Sequence, residues 1–289
     1  MRWARGVLAG LLLVVLVLMG AAVWYLNLLP LALHWRAQQP QALTGYRVVI
    51  EAQPIDGLPD NVSGLTFNHH TGTLWTVINR PPQVAELSTE GRLLRRLPLR
   101  GVRDPEGITH VEGDLYVISD EAGNRLHPVR IVAGQAAVLA GRDALPVPLQ
   151  QWGNLGLEGV SWDEQRQRLW VVNEKWPRRV SHVDGTPGAS QAAATDWAHS
   201  PVVDGLLSDL SSLTTDPATG HLLVLSDESA LLVELTPDGR WLGALPLWPG
   251  FGGLSRKVPQ AEGLALGPDR SLYIVSEPNL FYRFARSGP

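Results

Sequence analysis

Apolar and polar positions alternate along this chain in short runs, and the runs repeat. Five of them, Leu74–Asn79, Leu115–Asp120, Leu169–Glu174, Leu222–Asp227 and Leu272–Glu277, are apolar until a last polar or acidic residue. Runs this short, bounded by turn formers and rich in β-branched residues, predict strands rather than helices. Across a turn before each run stands one recurring phrase. Its copies are Val62-Ser63-Gly64-Leu65, Pro105-Glu106-Gly107-Ile108, Leu157-Glu158-Gly159-Val160, Leu210-Ser211-Ser212-Leu213 and Ala261-Glu262-Gly263-Leu264. Measured from Ser63 through Glu106, Glu158, Ser211 and Glu262, the copies lie 43, 52, 53 and 51 residues apart. Periods of about 40–50 residues with several strands each are the signature of propeller blades.

The order within a copy is constant. Gly107–Val111, the turn Glu112-Gly113-Asp114 and Leu115–Ser119 predict a hairpin, as do Ser212–Thr215, the turn Asp216–Gly220 and His221–Ser226. Third strands are predicted at Ala85–Leu87, Leu126–Val132, Ala230–Leu235 and Leu280–Ala285, and fourth strands at Leu93–Leu99, Gln135–Leu139 and Trp241–Leu247. The last copy shows three strands, and an unassigned strand, Tyr46–Ala52, precedes the first. A ring of blades left open exposes two strand edges, so Tyr46–Ala52 is expected to complete the last blade. The expected fold is all-β: a propeller of four-stranded blades, five by motif count. A sixth stays open if Thr186–Ser208 or Ala133–Trp152 carries a degenerate copy.

The N-terminus breaks the pattern. No charged residue falls between Arg5 and Arg36, and Gly6–Leu29 is almost wholly apolar. About 20 such residues suffice to cross a bilayer, and Arg2 and Arg5 ahead of them place the N-terminus in the cytoplasm. Residues 1–33 are therefore expected to be one transmembrane helix in a bacterial inner membrane. Residues 34–44 follow as a linker, and residues 45–289 form the propeller in the periplasm. Gly20-Ala21-Ala22 offers a signal-peptide cleavage site as the competing reading. The formal charge of −4 leaves no basic footprint for nucleic acid. With no cysteine, disulfide scaffolds and thiolate metal sites are excluded.

Candidate chemistry follows from the propeller. The first strand of each blade lines the channel and runs antiparallel to the second, so the start of one lies beside the end of the other. One column of residues then holds Ser63, Glu106, Glu158, Ser211 and Glu262, and a second holds Asn79, Asp120, Glu174, Asp227 and Glu277. Asp104, Asp209, Glu121 and Glu228 stand next to them at the channel mouth, with Lys175 and Arg80. Carboxylates crowded in this way need a positive partner or must protonate. A hard divalent cation, Ca²⁺ in the first place, fits an all-oxygen set, with Glu106, Glu158, Glu262, Asp120, Glu174, Asp227, Glu277 and Asn79 as candidate ligands. Alternatively the acids pair with Lys175 and Arg80, or accept backbone N–H groups from neighbouring blades. His69-His70 reads as an exposed turn, and His110 as a strand-face residue. Trp75, Trp162 and Trp170 read as packing between blades, whereas Trp152, Trp176 and Trp248 fall in loops that could reach the mouth.

Several of these runs resemble the bacterial SdiA-regulated (YjiK-like) proteins. They are Val62-Ser63-Gly64-Leu65-Thr66-Phe67-Asn68, Asp104-Pro105-Glu106-Gly107-Ile108, Gln260-Ala261-Glu262-Gly263-Leu264 and Tyr273-Ile274-Val275-Ser276-Glu277-Pro278-Asn279-Leu280-Phe281-Tyr282. The resemblance spans about residues 45–285. It implies a membrane-anchored propeller related to the NHL and TolB-like class, whose wider relatives are often grouped with six-bladed propellers. It implies no reaction.

Three functions fit these readings. The first is a membrane-anchored, periplasm-facing module that binds or senses a ligand, holding a divalent cation and a small polar or anionic ligand at the mouth. The second is a Ca²⁺-dependent hydrolase of lactonase or phosphoesterase type, with Glu106, Glu158 or Glu262 as general base. The third is a protein-interaction scaffold with a purely structural channel.

Overall fold

A strand that is apolar on both faces needs cover on both sides, and the repeats provide it for one another. The computed structural model describes residues 2–25 and 43–286, apart from 142, 148–155, 176–177, 186 and 188–193. A helix, α1 (Arg2–Tyr25), comes first, and β1 (Tyr46–Pro54) opens the strand-bearing region. Blade one is β2 (Val62–Asn68), β3 (Thr73–Ile78), β4 (Gln83–Leu87) and β5 (Leu93–Arg100). Blade two begins with β6 (Pro105–Glu112), β7 (Leu115–Asp120) and β8 (Arg125–Arg130); β9 (Val138–Leu139) and β10 (Leu145–Pro146) follow. Blade three is β11 (Leu157–Asp163), β12 (Arg168–Asn173), β13 (Arg179–Asp184) and β14 (Ala194–Asp196), trailed by the short helix α2 (Ser200–Leu206). Blade four is β15 (Ser212–Thr215), β16 (Leu222–Ser226), β17 (Leu231–Leu235) and β18 (Trp241–Pro246). Blade five has β19 (Ala261–Leu266), β20 (Leu272–Ser276) and β21 (Leu280–Arg286).

Among the described residues these strands make five sheets, and the inner strands touch in the cyclic order β2, β6, β11, β15, β19 and back to β2. The protein is a five-bladed propeller. The segments that left a sixth blade open carry instead β9, β10, β14 and α2, which extend or cover existing sheets. Closure is as expected: β1 lies antiparallel to β21, with Tyr46 opposite Arg286 and Pro54 opposite Leu280. One strand is reassigned. Val138–Leu139 does not complete blade two but runs parallel to Leu99–Arg100 at the edge of blade one. Leu145–Pro146 takes the outer place in blade two, opposite Leu126 and Arg125. The chain leaving β8 thereby covers an edge of β5 that would otherwise present unpaired backbone groups.

The core is divided among the blade interfaces. One apolar cluster lies between each pair of neighbouring blades, five in all among the described residues. Trp75 meets Tyr116 between blades one and two, ring centroids 5.6 Å apart, and Trp170 belongs to the interface of blades three and four. Trp162 packs on the interface of blades two and three. Hydroxyls stitch neighbouring blades together. At one end of the channel Ser63 Oγ donates to Glu106 O (2.7 Å), Ser119 Oγ to Glu158 O (2.6 Å) and Ser211 Oγ to Ala261 O (2.7 Å). Further along, Thr66 Oγ1, Thr109 Oγ1 and Ser161 Oγ accept the backbone N–H groups of His110, Trp162 and Thr215.

Backbone meets backbone where the recurring phrase stands. A Cβ on Gly107 would lie 2.5 Å from Glu158 O and 2.7 Å from Ser119 Oγ, and one on Gly263 would lie 2.6 Å from the carbonyl carbon of Gly64. No side chain fits there.

The N-terminal expectations require correction. Among the described residues no helix is long and apolar enough to cross a membrane. The transmembrane anchor is therefore overturned, and with it the inner-membrane attachment and the periplasmic location. Most of the expected linker, residues 34–42, lies outside the described residues. Its end, Leu43–Gly45, forms a 3₁₀ turn that buries Leu43 in the core between blades four and five.

Gly107→Ala is expected to lower the unfolding free energy by about 1–3 kcal/mol through this overpacking. Gly205→Ala in α2, where an added methyl meets nothing within 4 Å, should change it by less than about 1 kcal/mol. Urea unfolding of both variants checks the contrast, and equal effects would show that the close approach is not limiting.

Candidate metal centre and channel mouth

Bulges aim the recurring phrase at the axis. The pairing register skips between Ser63 and Leu65, between Pro105 and Gly107, between Leu157 and Val160, and between Ala261 and Gly263. An extra residue in a bulge is unpaired and its side chain is re-aimed. Glu106 and Glu262 are such residues, and Glu158 lies inside the third skip. Blade four has no skip, since β15 pairs regularly from Ser212 opposite Leu225.

These side chains open on a cavity of about 310 Å³. Its wall holds Glu106, Glu158 and Glu262, with Ser63 and Ser211 beside them. The hydroxyls of the two serines are already committed to neighbouring blades. Glu174, Asp227 and Glu277 from the second column also line it, as do Asp209, Glu228, Lys175 and Gln260. Gln260 escaped the sequence reading, although it occupies the same place before the phrase as Asp104 and Asp209.

The second column shifts by one residue in blade two. Four equivalent hydrogen bonds mark it: Asn79 N to Asn61 O, Glu121 N to Asp104 O, Glu174 N to Gly156 O and Glu277 N to Gln260 O, between 2.9 and 3.3 Å. Glu121, not Asp120, holds that place. Asp120 sits one position earlier, opposite Pro105. Its Oδ1 accepts the N–H of Asp104 at 3.0 Å, and its Oδ2 lies 3.6 Å from His127 Nε2. Burial pushes the Asp120 carboxyl up, but His127 and the backbone N–H of Asp104 outweigh it and hold the group below its usual value. Asp120 is a clamp beneath the mouth.

Asp104, Glu106 and Glu121 form a tighter group, with one oxygen from each lying within 4.8 Å of the others. Asn79 Nδ2 donates to Glu106 Oε1 at 3.0 Å, and Gly156 N donates to Glu121 Oε1 at 3.0 Å. Arg80 neutralises little: its guanidinium is 69% exposed and reaches Asp104 Oδ2 only at 3.9 Å. Among the described residues, Asn79 Oδ1 and Asp104 Oδ1 are buried without a hydrogen-bond partner. Orphaned acceptor oxygens beside three carboxyls fit a hard, oxygen-seeking cation. The group has no histidine or cysteine, which disfavours zinc and copper.

Burial dominates the electrostatics. It raises Glu106 and Glu121 to about 7 and Asp209 to about 6. Glu262 rises to about 9, through burial and then the charges of Asp227 and Glu106. Glu158 is raised well above the usual carboxyl range by burial, with Glu106 and Glu262 adding to it. Burial also pushes Asp104, Asp227 and Glu277 upward. Burial opposes the charge of Lys175, yet its hydrogen bonds to Glu228 (2.6 Å) and Glu174 (3.1 Å) hold its pKa up. Burial thus favours the neutral form of these acids.

Other sequence candidates lie elsewhere. His69 and His70 sit in an exposed turn closed by Asn68 Oδ1, which accepts the N–H of His70, and His110 Nε2 lies 3.1 Å from Gly113 O. Trp248 packs on the core between blades four and five under Lys257 Nζ, 5.5 Å from its ring centroid. Trp152 and Trp176 lie outside the described residues.

Solved structures of similar fold include Myxococcus xanthus glutaminyl cyclase, with 14% identity, a TM-score of 0.57, and coverage of 84% of this chain and 97% of that one. Luciferin-regenerating enzyme gives 14%, 0.51, 83% and 96% on the same measures. Regucalcin from Agrobacterium tumefaciens, a calcium-binding protein, gives 14%, 0.50, 81% and 93%. At such identities the likeness is one of fold alone. The family model described as SdiA-regulated matches residues 38–285, which takes in all five blades. The chain belongs to the SdiA-regulated family.

Proposed function

We propose that this propeller is a ligand-binding or sensing module whose channel mouth holds a divalent cation, Ca²⁺ being the ion its donors suit best. One observation carries the reading: three carboxyls converge within 4.8 Å beside buried oxygens of Asn79 and Asp104 that have no donor among the described residues. Asp104, Glu106 and Glu121 would hold the ion, and Asn79 Oδ1 would complete the set as a neutral ligand. Ca²⁺ takes 6–8 oxygens in flexible geometry, which tolerates the unequal reach of Asp, Glu and Asn. Glu158, Glu262, Glu174, Asp227 and Glu277 would add negative field from across the cavity. That regucalcin, a propeller of similar fold, is a calcium-binding protein agrees with this reading.

A second reading rests on Glu106. Burial holds its carboxyl at about 7, where a general base works best. Beside a cation that polarises a substrate oxygen, it would serve a lactonase or phosphoesterase. Turnover lost both in EDTA and in Glu106→Gln favours that reading.

The cation is tested on the full chain purified without an affinity metal. Calorimetric titration with Ca²⁺ is expected to show saturable binding that Asp104→Asn and Glu106→Gln each abolish or weaken at least tenfold, about 1.4 kcal/mol. At one hundred times Kd the ion should stabilise the fold by about 2.7 kcal/mol. No bound metal by elemental analysis, together with no heat of binding, sinks the reading.

The pH dependence has a definite sign. Glu106, Glu121, Glu158 and Glu262 have folded-state pKa values above their unfolded ones. The folded protein therefore binds more protons than the unfolded chain between about pH 4.5 and 9, and its stability falls as pH rises through that window. Asp120 and Asp216, held low, are ionised throughout it. Melting temperature in EDTA is expected to drop from pH 5 to 9, and Ca²⁺ to flatten the decline. A flat EDTA profile would show that these acids are not raised.

A further inference from the structure

The cavity is larger than one ion requires. At about 30 Å³ for each water in the liquid, 310 Å³ corresponds to roughly ten waters. Two observations inside it bear on what else it takes. The first is a tethered guest: the primary ammonium of Lys175 sits at the wall, 2.6 Å from Glu228 Oε1 and 3.1 Å from Glu174 Oε1. The second is Glu158, which is 8% exposed and lines the same cavity. Its carboxyl has no hydrogen-bond or ion-pair partner among the described residues. Its carboxyl faces the cavity, and a donor arriving there gives it a partner.

An ammonium group suits this wall better than a second metal. It brings three N–H donors and accepts oxygens at about 2.7–2.9 Å without a fixed coordination number. The wall already accepts one such group, since the ammonium of Lys175 bridges Glu174 and Glu228.

We propose that the cavity binds a small aliphatic polyamine, one ammonium reaching Glu158 at the floor and another displacing Lys175 from Glu228 at the rim. The proposal rests on the cation-binding reading only in sharing the channel mouth. Glu106 borders both sites, whereas Asp104 and Glu121 belong to the metal group and Glu158 and Glu228 to the amine. Lys175 is then an internal competitor that keeps the rim filled until a better cation arrives.

Isothermal titration of the full chain in EDTA, with 1,4-diaminobutane and spermidine as probes, tests this. Saturable binding is expected, weakened at least about tenfold in Glu158→Gln and strengthened several-fold in Lys175→Gln, where the tethered ammonium is gone. Glu158→Gln is near-isosteric, and its melting temperature verifies folding. Glu228→Gln, on a side chain 48% exposed, is the second variant and should also weaken binding. Absence of heat with either amine in both wild type and Lys175→Gln overturns the proposal, as does binding indifferent to Glu158→Gln and Glu228→Gln. Calcium titration of Asp104→Asn in parallel reads the metal group separately, so either site can fail without the other.

Discussion

Five inner strands must share one axis, and they approach it so closely that backbone lies on backbone. Gly107 against the Glu158 carbonyl and Gly263 against Gly64 leave no room for a Cβ. The rest follows from that crowding. Beside these contacts the pairing skips at Glu106 and Glu262, and the bulges aim their side chains along the channel. Glutamates at those places converge whether or not their charges favour it.

The packing that creates the electrostatic conflict also preserves it. Hydroxyl stitches at the mouth and deeper in the channel hold neighbouring blades together, so the carboxyls cannot relieve their repulsion by spreading apart. Proton uptake or a cation are the remaining remedies. Clamping residues and members of the acidic cluster are interleaved here at single-residue spacing. Asp120 clamps the Asp104 backbone, and Glu121 joins Asp104 and Glu106 in the acidic cluster.

Much of the architecture was legible because its signals are local. Turn chemistry, the period of the recurring phrase and the unassigned strand Tyr46–Ala52 sufficed for blades and closure, since each depends on residues adjacent in sequence or on a count. What was not legible depends on pairing. The shift from Asp120 to Glu121 shows only in the pairing: Pro105 lies opposite Asp120 as Val62 lies opposite Ile78 and Ala261 opposite Ser276, so Glu121 takes the place of Asn79 and Glu277. The crossing of Val138–Leu139 to blade one, and the commitment of Ser63 and Ser211 hydroxyls to neighbouring carbonyls, are likewise products of tertiary contact. Gln260 was missed because attention to acids hid a neutral residue in an equivalent place. At the N-terminus the apolar composition of residues 6–29 suggested a span that the described helix does not bear out.

The pairing of β1 with β21 joins residues 46–54 to residues 280–286, and so ties the site to the order in which the chain can fold. Contacts this distant in sequence carry the largest loop-closure entropy. Blades one to four can assemble from neighbouring segments, but blade five needs both ends of the propeller, and it brings Glu262 and Glu277. Until that last sheet zips shut, the mouth lacks a side, and its acids remain open to water with ordinary affinities for protons. Ring closure is thus the event that turns a row of solvated glutamates into a crowded, buried acidic cluster.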